Sequence, residues 1–299
     1  TTTIARYAIA KNLNVAPPVE NTNDFYELLD TFFSFSLPKV NNAKNLAVEL
    51  ANRTRFLRDE VVSIEMAEEL KKGQKAIRRF YEAFQKYLIG TLTEKTFADL
   101  YSQTITYGLF AARTRANDEF NRELAFKYIP QTIGILRDIF RFISLEDAPK
   151  SLQIIVDDIA EILQVTDVKK ILQDFYLDGK GQDPIVHFYE TFLSQYDPKI
   201  RKKRGVYYTP EPIVNYIVRS INDILKTHFD IADGLAGKEV TLLDPAAGTL
   251  TFPAEAIKLA INEYTDKYGT GGKENFIKNH ILENFYAFEL MMAPYAIGH

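Results

Sequence analysis

Apolar residues recur at three- and four-residue steps through most of the first 180 positions. Phe25, Leu28, Leu29, Phe32 and Phe33 set that period, and Leu46, Leu50 and Leu57 continue it between charges. Such spacing collects apolar side chains on one helix face. The same pattern predicts one long amphipathic helix from Ile64 to Leu88, carrying Leu70, Ile77, Phe80, Phe84 and Leu88. It predicts another through Phe97, Leu100, Tyr101, Thr104, Ile105 and Gly108, then shorter ones over Ile129–Ile143, Ser151–Leu163 and Val168–Phe175. Hardly a strand signal precedes residue 180. Asp157 and Asp158, set among Ile155, Val156, Ile159 and Ile162, read as solvated positions on a helix whose other face is core.

Past residue 180 the pattern changes. Two glycines in Asp178–Pro184 end a helix, and Asp183-Pro184 open the next as N-cap and first helical residue. The domain boundary is therefore placed near 180, dividing an α-helical domain, 1–180, from a second domain, 181–299. The helix Ile185–Tyr196 could belong to either side. Lys199, Arg201, Lys202, Lys203 and Arg204 follow, five cations within six residues. They form either a solvated turn or a phosphate contact. Thr209 is expected as N-cap, with Pro210 first, of a helix carrying Ile213, Ile217, Ile221 and Leu225. The run Val240–Leu243 then reads as a strand ending in Asp244-Pro245, a tight turn with Gly248, and a helix through Ala254–Ala260. An acid and a glycine at the carboxyl end of a strand are the usual furniture of a ligand site in an open α/β sheet. Tyr268–Glu274 is a glycine-rich connector without the Lys-Ser/Thr of a phosphate loop. Asn284–Leu290 reads as a second strand, with Glu289 near its end.

Composition removes several classes of function. No cysteine occurs among the 299 residues, which excludes disulfides and cysteine-based zinc sites. The four histidines are scattered without ligand spacing, so no metal site is expected. No run approaches the ~20 apolar residues of a membrane helix. No signal peptide is recognisable, and a cytoplasmic location is expected. Formal net charge is −4, so contact with nucleic acid would have to be local.

Tyr208-Thr209-Pro210 opening a helix, Asp244-Pro245-Ala246-Ala247-Gly248 after a strand some thirty residues on, and Glu289 closing the next strand form a specific order. It resembles the gamma-class N6-adenine DNA methyltransferases of restriction–modification systems. Phe97 through Arg113 resembles the helical coupler of the Type ISP enzymes, in which a helicase-like ATPase and such a methyltransferase share one chain. The resemblance implies a mainly α fold: a helical coupler, then the start of an α/β methyltransferase domain that uses S-adenosylmethionine. It implies Thr209 near the methionine carboxylate of the cofactor, with Tyr208 lining the pocket. Asp244 would organise the methionine amino end, Ala246 and Gly248 would bring the loop close, and Glu289 would accept bonds from the ribose hydroxyls. DNA would be the partner of the parent protein, together with ATPase and target-recognition domains of the same polypeptide. Arg201, Lys202, Lys203 and Arg204 are candidate phosphate contacts.

Two departures shape the expected activity. The family pattern Asp-Pro-Ala-Cys-Gly-Ser-Gly-x-Phe has Ala247, Thr249 and Leu250 in place of cysteine, serine and the second glycine. Leu250 narrows or re-routes the loop, so S-adenosylmethionine is expected to bind weakly or not at all. Methyl transfer to adenine also needs Asn/Asp-Pro-Pro-Tyr/Phe, which holds a flipped base. The only Pro-Pro here is Pro17-Pro18, between alanine and valine, so no catalytic residue is assigned and the chain is expected to be inactive alone. The alternative is a non-enzymatic helical interaction or spacer module. Two strands are marginal by themselves, so cover from the helical half or from a second copy is also expected.

Overall fold

The computed structural model describes residues 40–299 apart from 118, 131–133, 146–147, 178–183, 200–208, 292–293, 296–297 and 299, together with Tyr26, Leu29 and Asp30. The chain divides into Thr1–Val40 and Asn41–His299, and nearly everything described lies in the second. The expected helix at Phe25–Phe33, the glycine break after Asp178 and the basic run Arg201–Arg204 fall largely or wholly outside the described residues.

The helical half forms largely where the apolar period predicts, although the helix expected from Ile129 begins at Gly134, and side-chain caps set several of its starts. α1 (Ala43–Phe56) begins where the Asn42 side chain accepts a hydrogen bond from the Asn45 amide at 2.9 Å. It runs through a π-helical stretch, Leu57–Val62, into α2 (Ser63–Lys72). The long helix expected over Ile64–Leu88 is two helices. Gly73, at φ 68°, ends α2 in the left-handed conformation that glycine adopts most readily, and α3 (Arg78–Tyr87) starts five residues later. The buried Glu69 carboxylate accepts from the Ile77 and Arg78 amides at 2.8 and 2.9 Å, which caps α3 from the neighbouring helix.

α4 (Glu94–Arg115) is the axis of this half. Thr93 caps it, and every residue from Phe97 to Phe110 is buried. Around it stand α5 (Arg122–Tyr128), α6 (Gly134–Leu145), α7 (Lys150–Val165) and α8 (Val168–Leu177). Asp157 and Asp158 of α7 are not merely solvated. Each reaches an arginine of another helix at 2.8 Å, Arg122 and Arg53 respectively.

The next helix, α9 (Pro184–Tyr196), packs on α1. Arg55 donates to the Gln195 and Tyr196 carbonyls at 2.7 and 2.9 Å, capping its carboxyl end. Tyr107 donates to the Ile185 carbonyl at 2.6 Å, and Phe188 stacks on Phe110. The Tyr196 hydroxyl donates to buried Asp99 at 2.6 Å, and Gln103 donates to the other Asp99 oxygen at 2.9 Å. Burial first, then the Asp99 charge, raises the Tyr196 pKa well above its ordinary value, so the hydroxyl stays a donor.

The rest is an α/β unit: α10 (Glu211–His228), β1 (Leu242–Asp244), α11 (Thr251–Tyr268), a helical stretch at 273–284 and β2 (Phe285–Ala287). β1 and β2 pair in parallel, Leu242 opposite Phe285 and Asp244 opposite Ala287. A parallel pair needs a crossover, and α11 with the stretch after it supplies one. Val214, Val218, Leu235, Val240, Ala256, Ala260, Phe276 and Ile281 make the core between them. Two lysines brace it outside: Lys226 reaches Glu263 at 2.6 Å, and Lys267 reaches Glu263 and Asp233 at 2.9 and 3.0 Å. Among the described residues, cover for the strands comes from this unit's own α10 and α11. It is partial, for Leu243 remains 56% exposed.

Candidate functional site

β1 is short because its apolar run meets Asp244-Pro245. Proline lacks the amide that would continue the ladder, and the Asp244 side chain accepts from the Ala246 amide at 3.1 Å, turning the chain. The two strand ends nevertheless stay zipped beyond the strands. Phe288 donates its amide to the Asp244 carbonyl at 2.8 Å, and Ala247 donates to the Phe288 carbonyl at 2.9 Å.

The zipper ends in Glu289. One carboxylate oxygen accepts from the Gly248 amide at 2.8 Å, the other from the Met291 amide at 2.6 Å. Gly248 sits at φ 56°, and a Cβ built there would meet nothing within 4 Å. Its backbone therefore borders open space, the condition for close approach by a ligand. The loop closes when the Leu250 amide donates to the Ala247 carbonyl at 2.8 Å. Leu250 is itself left-handed, φ 65° and ψ 24°, and α11 begins at the next residue. Two acids and a free glycine face thus meet at the carboxyl ends of adjacent parallel strands. They can accept hydrogen bonds from hydroxyls or bind a cationic group.

The structure brings together Asp244, Ala246, Gly248 and Glu289 among the expected site residues. Thr209 is half-buried one residue ahead of Pro210, which occupies the cap position of α10 without a side-chain cap bond. Helix α10 thus starts one residue later than its proline suggests. Among the described residues no hydrogen bond joins Thr209 to the loop. Tyr208 and the four basic residues Arg201, Lys202, Lys203 and Arg204 lie outside the described residues. Phe252 packs against the core, as its place in the βα unit suggests. A cavity of about 280 Å³ opens beside the loop rather than in it. Val218, Ile221, Leu243, Asp244, Pro245 and Phe252 line it, whereas Gly248 and Glu289 do not. Sequence reasoning had no means of finding the Phe288 carbonyl or the Met291 amide, since backbone groups carry no residue signature.

A family model matches residues 180–284, from ahead of α9 to the residue before β2. It is N-6 DNA Methylase. The matched segment is about a third of the chain and contains Thr209, Asp244, Ala246 and Gly248. Glu289 lies just past its end. No curated protein matches the chain.

Two solved structures share the fold of nearly the whole chain. One is a nuclease-deletion mutant of the Type ISP restriction–modification enzyme LlaGI in complex with a DNA substrate mimic. It is 18% identical, with a TM-score of 0.54, over 92% of this chain and 20% of that one. The other is the ATP-dependent Type ISP restriction–modification enzyme LlaBIII bound to DNA, 18% identical with a TM-score of 0.55. There the match covers 95% of this chain and 18% of that one. The chain thus spans about a fifth of the length of either. The mainly helical first part and the segment matched by the family model together share the fold of part of these two structures.

Proposed function

We propose that the chain is part of a restriction–modification enzyme whose methyltransferase moves a methyl group from S-adenosylmethionine to adenine N6 in DNA. In this reading residues 1–180 are a helical coupler and 181–299 the first part of the methyltransferase domain. Further ATPase and target-recognition domains belong to the same polypeptide. The observation that carries it is the grouping of Asp244, Gly248 and Glu289 at the carboxyl ends of two paired parallel strands, within and just past the stretch that the N-6 DNA Methylase model matches.

The residues fit the cofactor in donor chemistry. Each Glu289 oxygen holds one backbone bond, and a carboxylate oxygen has a second lone pair. Glu289 therefore has room for two ribose hydroxyls. Asp244 has one oxygen free of the Ala246 bond for the cationic amino end, and the open side of Gly248 admits the chain between them. When bound, S-adenosylmethionine would supply the methyl group. The residues that orient adenine are not in this sequence, so the chain alone is inactive.

Calorimetric titration tests the cofactor. S-adenosylmethionine should give heat with the wild-type chain and less with Asp244→Ala. Equal heats, or none from a longer protein carrying the whole methyltransferase domain, would favour the non-enzymatic spacer instead. DNA contact by Arg201, Lys202, Lys203 and Arg204 is tested in the intact parent enzyme by replacing all four with serine. The salt dependence of DNA binding should flatten, because counterion release is its source. An unchanged slope assigns the run to a solvated turn.

A further inference from the structure

We infer that Glu289 is a positioning residue for the glycine loop, a latch that shapes the site before any ligand arrives. The inference rests on the cofactor reading for its function but not for its geometry. Glu289 stands two residues past the last paired residue of β2, and Gly248 stands four past the end of β1. The connecting backbone bonds stop at Ala247, so the carboxylate supplies the next rung. Oε2 takes the Gly248 amide at 2.8 Å and Oε1 the Met291 amide at 2.6 Å. One side chain thus fixes the turn after each strand relative to the other.

The chemistry demands a carboxylate. Both neighbours are N–H donors, so both side-chain oxygens must accept. Glutamine offers one acceptor and one NH₂. Whichever way it turns, a donor faces a donor at one of the two amides. Gly248 also lies three residues before the start of α11, where the helix carries partial positive charge and favours an anion. The latch explains why an acid belongs here even without a ribose to hold. It also means that a substitution at Glu289 removes the shape of the Gly248 loop together with any ligand bond.

Amide exchange of the ligand-free chain, read residue by residue by NMR, tests the latch. In Glu289→Ala, exchange at Gly248 and Met291 should accelerate at least ten-fold, while Leu243 in β1 keeps its rate. In Glu289→Gln, one of the two amides should accelerate and the other hold, which keeps the test valid if the alanine variant fails to fold. Unchanged exchange at both amides in either variant overturns the latch. A titration with S-adenosylmethionine then separates the two ideas. If the wild-type chain shows no binding while the exchange pattern is as stated, the cofactor reading fails and the latch stands. If binding falls in Glu289→Gln while both amides keep their wild-type rates, Glu289 touches ligand only, and the latch fails.

Discussion

Leu250 holds a backbone conformation that L-residues other than glycine and asparagine seldom adopt. The left-handed region costs a branched residue about 1–2 kcal/mol. Its side chain also lies over the Gly298 backbone, so that a Cβ on Gly298 would stand 2.7 Å from Leu250 Cγ. The methyltransferase pattern that this stretch resembles has glycine at position 250, a residue that adopts a φ of 65° without that cost. Leu250→Gly therefore relieves strain, against the larger freedom glycine gives the unfolded chain. We expect a net stabilisation of up to about 1 kcal/mol, seen as a higher urea midpoint at unchanged slope. Position 250 was legible in sequence as a departure, while its conformation was not, because leucine gives no hint of positive φ. The turn at Asp244 and Gly248 was legible because an apolar run ends there in Asp-Pro, and the motif order of the methyltransferase resemblance singled out Glu289. Their partners are backbone groups, and those emerge only when both strands are in register.

At the level of elements, the three- and four-residue periodicity placed most helices within a few residues of where they form. It failed where a break was masked by apolar residues on both sides. Ile64 to Leu88 keeps its period across Gly73, yet the lysines in the last turn of α2 followed by that glycine are a stop signal. Periodicity also could not say that α4 is buried all round, since its polar residues Ser102, Gln103, Thr104 and Thr106 imitate a solvent face. Gly108 marks a close approach to α4. A Cβ there would lie 2.5 Å from Phe140 of α6, whose ring is fully buried. Gly108→Ala should cost about 1–3 kcal/mol by forcing the two helices apart. Thermal unfolding by circular dichroism measures it, and a wild-type midpoint would contradict the close approach.

Over the whole molecule, packing and family divide the chain differently. The methylase match begins at residue 180, yet α9, inside it, is held by α1 and α4 of the helical half. The braces on the α/β unit are of another kind, being acid–lysine pairs at the surface. The hydrogen bond from Lys267 outweighs burial and lowers the Asp233 pKa below its ordinary value. At Glu263 burial opposes, but hydrogen bonds from Lys226 and Lys267 prevail and the pKa is again lowered. A depressed carboxyl contributes stability that is fully present above its unfolded pKa and lost as pH falls through the folded one. With ordinary values of 3.8 and 4.5 for the two groups, the loss begins near pH 4.5 and proceeds below it. Asp233→Asn should melt below wild type at pH 7, and the difference should shrink as pH drops under 4. A gap independent of pH would remove Asp233 from the account.

The uncovered side of the strand pair adds a handling property to the molecule. Ile213, Tyr216, Ile217, Ile221 and Ile224 stand exposed along α10, and Ile221 shares with Leu243 the rim of the cavity beside Asp244. Sulfate is excluded from protein surfaces and strengthens apolar contact. The chain should therefore adhere to a phenyl matrix in moderate ammonium sulfate despite its charged exterior. Replacing Ile217 and Ile221 by lysine should release it earlier in a descending salt gradient, and an unaltered elution position would place the row beyond reach of the matrix.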